Sequence, residues 1–457
     1  MGKLRFYIAM AAAKLSALAL RILGRNASYM PGVIALKLCR DFIGYLKKPD
    51  TLICVTGTNG KTTTSNLLNT ALTHSGFKVT NNSFGSNVQA GVAAALLLNS
   101  TFTGKHKNKV AVLEVDERSS LLVYKYITPD YLICNNIMRD SLKRNAHTEF
   151  ISFIINSAVP AETKVFLNAD DLNCATLAPQ CKTRTYFGMD AERPEGVPEG
   201  QIRDVCYCPV CGARLEPEYI RFNHIGRYRC TKCDNKSPER DYCVTAIGRE
   251  NRTFTVTAEG GEHTLNMVND NIVNIYNSCG AVSVLRAFGL TWEQIAAAFE
   301  TGKVVETRYD TLEAGDLKVT LILTKGQNPI ATSRVFSYVA SCEGENKCVL
   351  NIFDDVEDNI NNSESTCWLY DIDYSPLKDE SIGQLIFAGP RCKDHLLRAI
   401  MTGIPREKIL LYPTSPDSAP LVDTEKYHNV YILYDNYRLD EAVAMKKYFA
   451  EKGGVKA

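Results

Sequence analysis

The chain has 457 residues, 45% of them hydrophobic and 23% charged, with 52 Lys and Arg against 51 Asp and Glu. That balance excludes disordered, collagenous and fibrous classes and leaves room for roughly two to four globular domains. A net charge of +1 supplies no global field for nucleic acid or an anionic membrane, although local patches remain open. In chain order, Lys3 and Arg5 precede the apolar run 6–13, in the manner of a secretory leader. Lys14 and Arg21 interrupt its continuation, and the apolar residues recur at helical spacing, so the pattern predicts an amphipathic first helix. No uninterrupted apolar stretch reaches membrane-spanning length. The reading is therefore a cytoplasmic protein that is not integral to the membrane, with a peripheral place at the inner membrane face left open.

The first fifty residues read as helical, with a break at Met30-Pro31-Gly32. Thr51 to Val55 is a short β-rich run, followed by a glycine-containing loop and a helix from Thr62 to His74. Buried strands are predicted at 110–113, 131–134 and 164–167, with helical stretches between them. That alternation is the signature of a parallel sheet flanked by helices. From about Ala191 to Arg240 the periodicity fades and Pro, Gly, Arg and Cys rise, which marks an insert. Helix returns at Ile272 to Phe288, and a second α/β set follows with strands at 317–323, 347–352, 384–387 and 430–434. The organisation predicted is a helical segment 1–50, an α/β nucleotide domain 51–311 with an insert at about 200–240, and a smaller α/β domain 312–457.

Sixteen cysteines are many for this length. Cys39, Cys54, Cys134, Cys279 and Cys392 stand singly, several in apolar runs, and read as small buried hydrophobes of a reducing compartment. Cys208-Pro209-Val210-Cys211 and Cys230-Thr231-Lys232-Cys233 form paired Cys-x₂-Cys knuckles. Four thiolates complete a tetrahedral Zn²⁺ sphere, so the zinc would be structural. Cys206 is a spare that could replace Cys208, and His224 between the knuckles reads as a loop residue. The insert's basic residues (Arg214, Arg221, Arg227, Arg229, Lys232) read as a solvated surface, not a nucleic-acid site, because aromatic interleaving is sparse.

The sharpest local signal is Val55-Thr56-Gly57-Thr58-Asn59-Gly60-Lys61-Thr62-Thr63-Thr64, between a predicted strand and a predicted helix. Glycines let successive N–H groups curl toward phosphate oxygens, and a helix N-terminus adds partial positive charge. Lys61 would bridge the terminal phosphates of ATP, and Thr62 would offer its hydroxyl to Mg²⁺. Glu114, at the end of the 110–113 strand, suits a hard cation beside such a loop, and Asp116 or Glu117 could take its place.

The loop 56–64 resembles the ATP loop of the Mur ligases, which activate a carboxylate as an acyl phosphate and join it to an amine. Other segments match in order. Glu114 stands where that family binds Mg²⁺. Asn135–Asp140 resembles its Asn-containing segment, with Ser141 where many members have a metal-binding His. Asn168-Ala169-Asp170-Asp171 resembles its Asn-x-Asp-Asp turn. Asn274 and Asn277 resemble its Asn-x-x-Asn element near the adenine, and Arg308 a phosphate-reaching arginine. The four-cysteine insert, the segment 28–37, Trp368-Leu369-Tyr370-Asp371 and Gly389-Pro390-Arg391-Cys392-Lys393-Asp394 are similar to the MurT-type branch of that family. The resemblance implies ATP-dependent amidation of the D-glutamate α-carboxyl of lipid II to D-isoglutamine, for peptidoglycan synthesis. Ammonia would come from a separate GatD-type glutaminase subunit. It also implies an essential acid in a C-terminal loop. Asp355 is the favoured candidate, with Asp354 and Asp358 close behind, although 351–358 lacks the family's Ala-Asp-Gly pattern. Two alternatives stand beside this reading. One is a ligase adding an amino acid to another carboxylate; the other is a non-catalytic, ATP-binding zinc-ribbon scaffold.

Overall fold

The computed structural model describes residues 2–82, 86–140, 147–196, 203–268, 270–301, 309–324, 328–352, 366–435 and 437–455. The chain forms two compact units; among the described residues the first ends at Thr301 and the second begins at Tyr309.

The first unit carries strands β1 (Thr51–Thr56), β2 (Val79–Asn81), β3 (Val110–Glu114), β4 (Tyr131–Cys134), β5 (Lys164–Asn168), β6 (Arg184–Met189), β7 (Leu215–Phe222), β8 (Ile225–Cys230), β9 (Tyr242–Gly248), β10 (Thr253–Ala258) and β11 (Gly261–Asn266). Its helices are α1 (Gly2–Ile22), α2 (Met30–Leu38), α3 (Phe42–Tyr45), α4 (Lys61–His74), α5 (Gln89–Leu98), α6 (Ser120–Val123), α7 (Thr148–Ala158), α8 (Leu172–Ala175), α9 (Ile272–Phe288) and α10 (Trp292–Thr301). Nine strands make one sheet in the order β11-β10-β9-β6-β5-β4-β1-β3-β2. It is parallel from β2 through β9, and β10 and β11 extend it antiparallel. The central strands β3 and β4 are buried along their whole length, which is why they read as continuous apolar runs. The antiparallel extension was not anticipated. Its strands alternate, as Thr253–Ala258 does, and lie beyond an insert that masks the sheet's continuity.

Strand register aims the unit's chemistry. β1 lies between β3 and β4, with Val55 opposite both Glu114 and Ile133 and Thr56 opposite Cys134. The carboxyl ends of three parallel strands therefore converge at the loop after β1, the position where open α/β sheets hold ligands. The leading helices share the sheet's core, since Phe6, Met10, Ala13 and Phe42 pack in one cluster with Leu52, Cys54 and Leu113. Gly32 lets α2 approach α5 closely, because a Cβ there would lie 1.8 Å from the Ala90 carbonyl oxygen. The singly spaced Cys39, Cys54, Cys134, Cys279 and Cys392 are all buried, and burial pushes the Cys54 thiol up to about 12.

The second unit has strands β12 (Tyr309–Ala314), β13 (Leu317–Leu323), β14 (Lys347–Asn351), β15 (Ile382–Ala388), β16 (Ile409–Tyr412) and β17 (Asn429–Tyr434), ordered β12-β13-β17-β14-β15-β16. All pairings are parallel except that of β12 with β13. Helices α11 (Pro329–Ser341), α12 (Cys367–Asp371), α13 (Cys392–Thr402) and α14 (Leu439–Lys452) complete it, over apolar clusters centred on Phe336, Tyr374 and Phe387 and on Ile386, Ile432 and Phe449.

Candidate active site

The loop after β1 is held open by two glycines with left-handed backbone, Gly57 (φ +118) and Gly60 (φ +87). A Cβ on Gly57 would sit 2.9 Å from the Asn136 carbonyl oxygen, and one on Gly60 would sit 2.3 Å from Asn277 Oδ1. Gly60 is the N-cap of α4 and offers no side-chain cap, so the helix's amino end is left for another acceptor. The loop's outer edge is tied to the segment after β4. Thr58 N donates to Asn136 O at 2.9 Å, Asn59 N to Asn136 Oδ1 at 3.0 Å, and Asn136 Nδ2 returns a bond to Asn59 O at 3.0 Å. Thr58 Oγ1 exchanges bonds with the Met138 backbone. Asn135 Nδ2 reaches Thr64 Oγ1 at 2.9 Å on the first turn of α4.

Three of the predicted groups come together here. Lys61 Nζ donates to Glu117 Oε1 at 2.9 Å and to the Gly57 carbonyl at 2.5 Å. Thr62 Oγ1 donates to Glu114 Oε2 at 3.1 Å. Two oxygens on adjacent corners of an octahedral Mg²⁺ sphere lie roughly 3 Å apart, so a hydroxyl and a buried carboxylate at this separation fit a shared Mg²⁺. The three acids that sequence left interchangeable are told apart. Glu114 faces Thr62, Glu117 faces Lys61, and Asp116 Oδ1 accepts Arg118 N at the start of a 3₁₀ turn. Burial raises the Glu117 carboxyl above its ordinary range, and Lys61 opposes that shift.

One residue that sequence reasoning missed is Asn82. Its amide donates to Glu114 O at 2.9 Å and accepts from Glu114 N at 2.8 Å, clamping the strand end that carries the acid. Only its position just past β2 could have signalled this. Asn277 is buried against Gly60 and donates to Asn274 Oδ1 at 3.4 Å, so the Asn-x-x-Asn pair reaches the loop from α9. The N-cap of α9 is Asn271, whose side chain accepts from Val273 N; neither asparagine of the pair is needed for it. Thr63 is half-buried on α4's first turn. Arg308, Asp354, Asp355 and Asp358 lie outside the described residues.

The four predicted cysteines of the insert gather, with Sγ atoms within 4.8 Å of one another. Cys208 and Cys233 are 3.7 Å apart, and Cys211 and Cys230 are 3.4 Å apart. Metal–sulfur bonds of ~2.3 Å in a tetrahedron put sulfurs roughly 3.8 Å apart, so the donor set fits Zn²⁺. The Lys232 and Cys233 N–H groups point at Cys230 Sγ at 3.3 and 3.4 Å, and the first of these leads in pulling that thiol down to about 6. Cys206 is exposed and stands apart from the four, with its thiol on the Arg203 carbonyl. Of the insert's basic residues, Arg227 departs from the expected solvated surface. It is buried and donates to the Pro238 and Ser237 carbonyls.

His224 also differs from expectation. It sits in the β7–β8 turn but is fully buried, with Nε2 3.3 Å from Asp171 Oδ1 and Nδ1 3.8 Å from Asp204 Oδ2. Burial opposes its protonation, but the two carboxylates, Asp171 first, outweigh it and the histidine is raised. Asp171 Oδ2 in turn accepts Ile137 N at 2.6 Å, within the segment that grips the phosphate loop. Asp170 beside it takes two bonds from Arg240, one from Tyr276 and one from Met189 N. The Asn-x-Asp-Asp turn is thus a buried junction between the cysteine insert and the loop after β1.

Comparison with known proteins bears on this arrangement. Residues 55–195 match the Mur ligase middle domain, and residues 325–438 match the MurT ligase C-terminal domain. The MurT subunit of lipid II isoglutaminyl synthase (glutamine-hydrolyzing) from Staphylococcus aureus strain COL is 30% identical over 397 residues, covering 86% of this chain and 87% of that one. The chain belongs to the MurT family of Mur-type ligases. The MurT subunit from Streptococcus pneumoniae is 29% identical over 418 residues, 90% of each chain. A pseudomurein peptide ligase type C from Methanothermus fervidus shares the fold with a TM-score of 0.66 at 18% identity, covering 90% of this chain and 81% of that one.

Proposed function

We propose that this MurT-family chain is the ATP-consuming ligase subunit that amidates the D-glutamate α-carboxyl of the lipid II stem peptide, in peptidoglycan synthesis. The observation that carries the reading is the joined pair Thr62–Glu114 beside Lys61 on a loop opened by Gly57 and Gly60. A scaffold that merely bound nucleotide would not require this set. The substrate and the glutamine-hydrolysing partnership are taken from the names of the Staphylococcus and Streptococcus relatives, which this chain matches over most of its length.

The chemistry follows from the groups. A free carboxylate is a poor electrophile. Its oxygen would attack the terminal phosphorus of ATP, the bond to ADP would break, and ammonia would then displace phosphate from the acyl carbon. Gly57, Thr58, Asn59, Gly60, Lys61, Thr62 and Thr63 would hold the phosphates, with Lys61 neutralising charge as it moves onto the leaving ADP. Thr62 and Glu114 would hold Mg²⁺, which when bound supplies Lewis-acid stabilisation of the phosphoryl group. Asn274 and Asn277 would contact nucleotide from α9, and Arg308 would reach its phosphates. Asp355, or its neighbours Asp354 and Asp358, would orient ammonia delivered by a GatD-type glutaminase subunit. The four-cysteine group would hold a structural Zn²⁺ and take no part in the reaction.

The test is co-expression with a neighbouring glutaminase and glutamine-dependent conversion of lipid II, read by mass spectrometry. Replacement of one hydroxyl by one amine is the expected product. Addition of a whole amino acid, or product formation undiminished by Lys61→Met, would overturn the reading.

A further inference from the structure

The near-neutral total charge hides a strong asymmetry. Residues 1–48 hold nine Lys and Arg and a single acid, Asp41, for a net +8, so residues 49–457 carry −7. This cationic stretch includes α1, a helix with two apolar faces. Phe6, Ala9, Met10, Ala13 and Ala17 are buried in the sheet's core. Leu4, Ile8, Leu15, Leu18 and Ile22 face away from it and are each 53–77% exposed. At 100° per residue these five fall within an arc of about 80°, opposite the buried set. Lys3, Lys14 and Arg21 line one border of that arc, by the same spacing. Scattered exposed leucines need no explanation, but a continuous stripe along a six-turn helix marks an interaction surface.

We propose that the outer face of α1 docks in the plane of an anionic lipid bilayer, its apolar stripe among the acyl chains and its basic border at the headgroups. An apolar stripe edged by Lys and Arg is the geometry of an interfacial helix. An anionic leaflet attracts such basic segments. Charge decides against a second copy of this chain, since a symmetric contact would bring one cationic face against another. Lys37, Arg40 and Lys125 extend the same sign, bordering a cavity of about 390 Å³ between α2, α5 and α6 that no carboxylate lines. No described helix is long and apolar enough to cross a membrane, so the contact is peripheral. The inference rests on α1 and the basic residues around it and does not depend on the reaction proposed above.

The experiment is flotation of the purified full chain with phosphatidylcholine vesicles, with and without about one-third phosphatidylglycerol. The expected result is flotation with the anionic vesicles only, weakened by salt. Leu15→Glu/Leu18→Glu should reduce the bound fraction about tenfold or more while melting temperature stays unchanged. Should that variant melt early, Lys3→Glu/Arg21→Glu, at exposed positions clear of the core, should still lose anionic-vesicle binding. No flotation of the native chain, or flotation indifferent to both variants, would overturn the proposal. So would an absence of vesicle binding together with a concentration-dependent dimer that Leu15→Glu/Leu18→Glu abolishes, which would give the face to a second copy instead.

Discussion

Replacing Lys61 by methionine tests how the phosphate loop is held before any nucleotide arrives. Lys61 is 13% exposed and Glu117, its partner at 2.9 Å, is 2% exposed. Methionine keeps the stem but removes the charge, and leaves a buried carboxylate alone. Breaking such a pair costs about 3–5 kcal/mol, and the partial exposure of Lys61 argues for about 3. At roughly 2–4 °C per kcal/mol, the melting temperature of the first unit should fall by about 6–12 °C. The cost depends on pH in a defined direction. Glu117 is raised in the folded state, chiefly by burial, and Lys61 holds that rise in check. An acid raised on folding binds more protons folded than unfolded. Its penalty is therefore absent below the ordinary carboxylate range, grows as pH climbs, and levels off above the folded value. Without Lys61 the folded value climbs further, so the penalty grows deeper and continues to higher pH. Scanning calorimetry at about pH 5 and about pH 8 should show the larger deficit at the higher pH. Lys61→Met/Glu117→Gln should recover most of it and lose the pH dependence. A Lys61→Met deficit that is equal at both pH values, or a double variant no more stable than the single one, would refute the assigned pairing.

Gly60→Ala would force an L-residue to φ +87 with its Cβ 2.3 Å from Asn277 Oδ1, so ATP affinity should drop by about tenfold, from about 1–2 kcal/mol of strain; native affinity by titration calorimetry would contradict the loop geometry. Arg240→Met strands Asp170, whose side chain is fully buried, and should destabilise the first unit by about 3–5 kcal/mol, with Asp170→Asn on the same background recovering part of it by thermal melting. Chelation should release about one equivalent of zinc per chain and speed hydrogen exchange at Leu215–Phe222 and Ile225–Cys230, leaving the central strands protected. A chelator that extracts no metal, or exchange that does not change in those two strands, would remove the structural-zinc assignment.

Local pattern was enough for the parts of this protein that are local in cause. The buried strands 110–114, 131–134 and 164–168 declare themselves by unbroken apolar runs, because strands covered on both faces admit nothing else. The loop after β1 declares its shape because its glycines must take positive φ and its Lys and Thr must begin a helix. Paired knuckles declare the four-cysteine cluster, since two tight Cys-x₂-Cys turns are a spacing constraint written in consecutive residues.

What sequence left open turned on partners distant along the chain. Glu114, Asp116 and Glu117 are indistinguishable in a line of text; strand register and the 3₁₀ turn after β3 give them different neighbours. Asn82 clamps Glu114 across 32 positions, and His224 reaches Asp171 across 53. Neither pairing leaves a periodicity to read. The antiparallel strands β10 and β11 join the sheet only because β9 returns beside β6 after the insert. Helix α1 is apolar on two sides, and composition cannot say which side meets the core; packing against Phe42 and the sheet decides it, and leaves the other stripe outside. Short-range sterics and hydrophobic period are properties of neighbouring residues, whereas burial, charge pairing and proton affinity belong to the folded neighbourhood and exist only once the sheet has assembled.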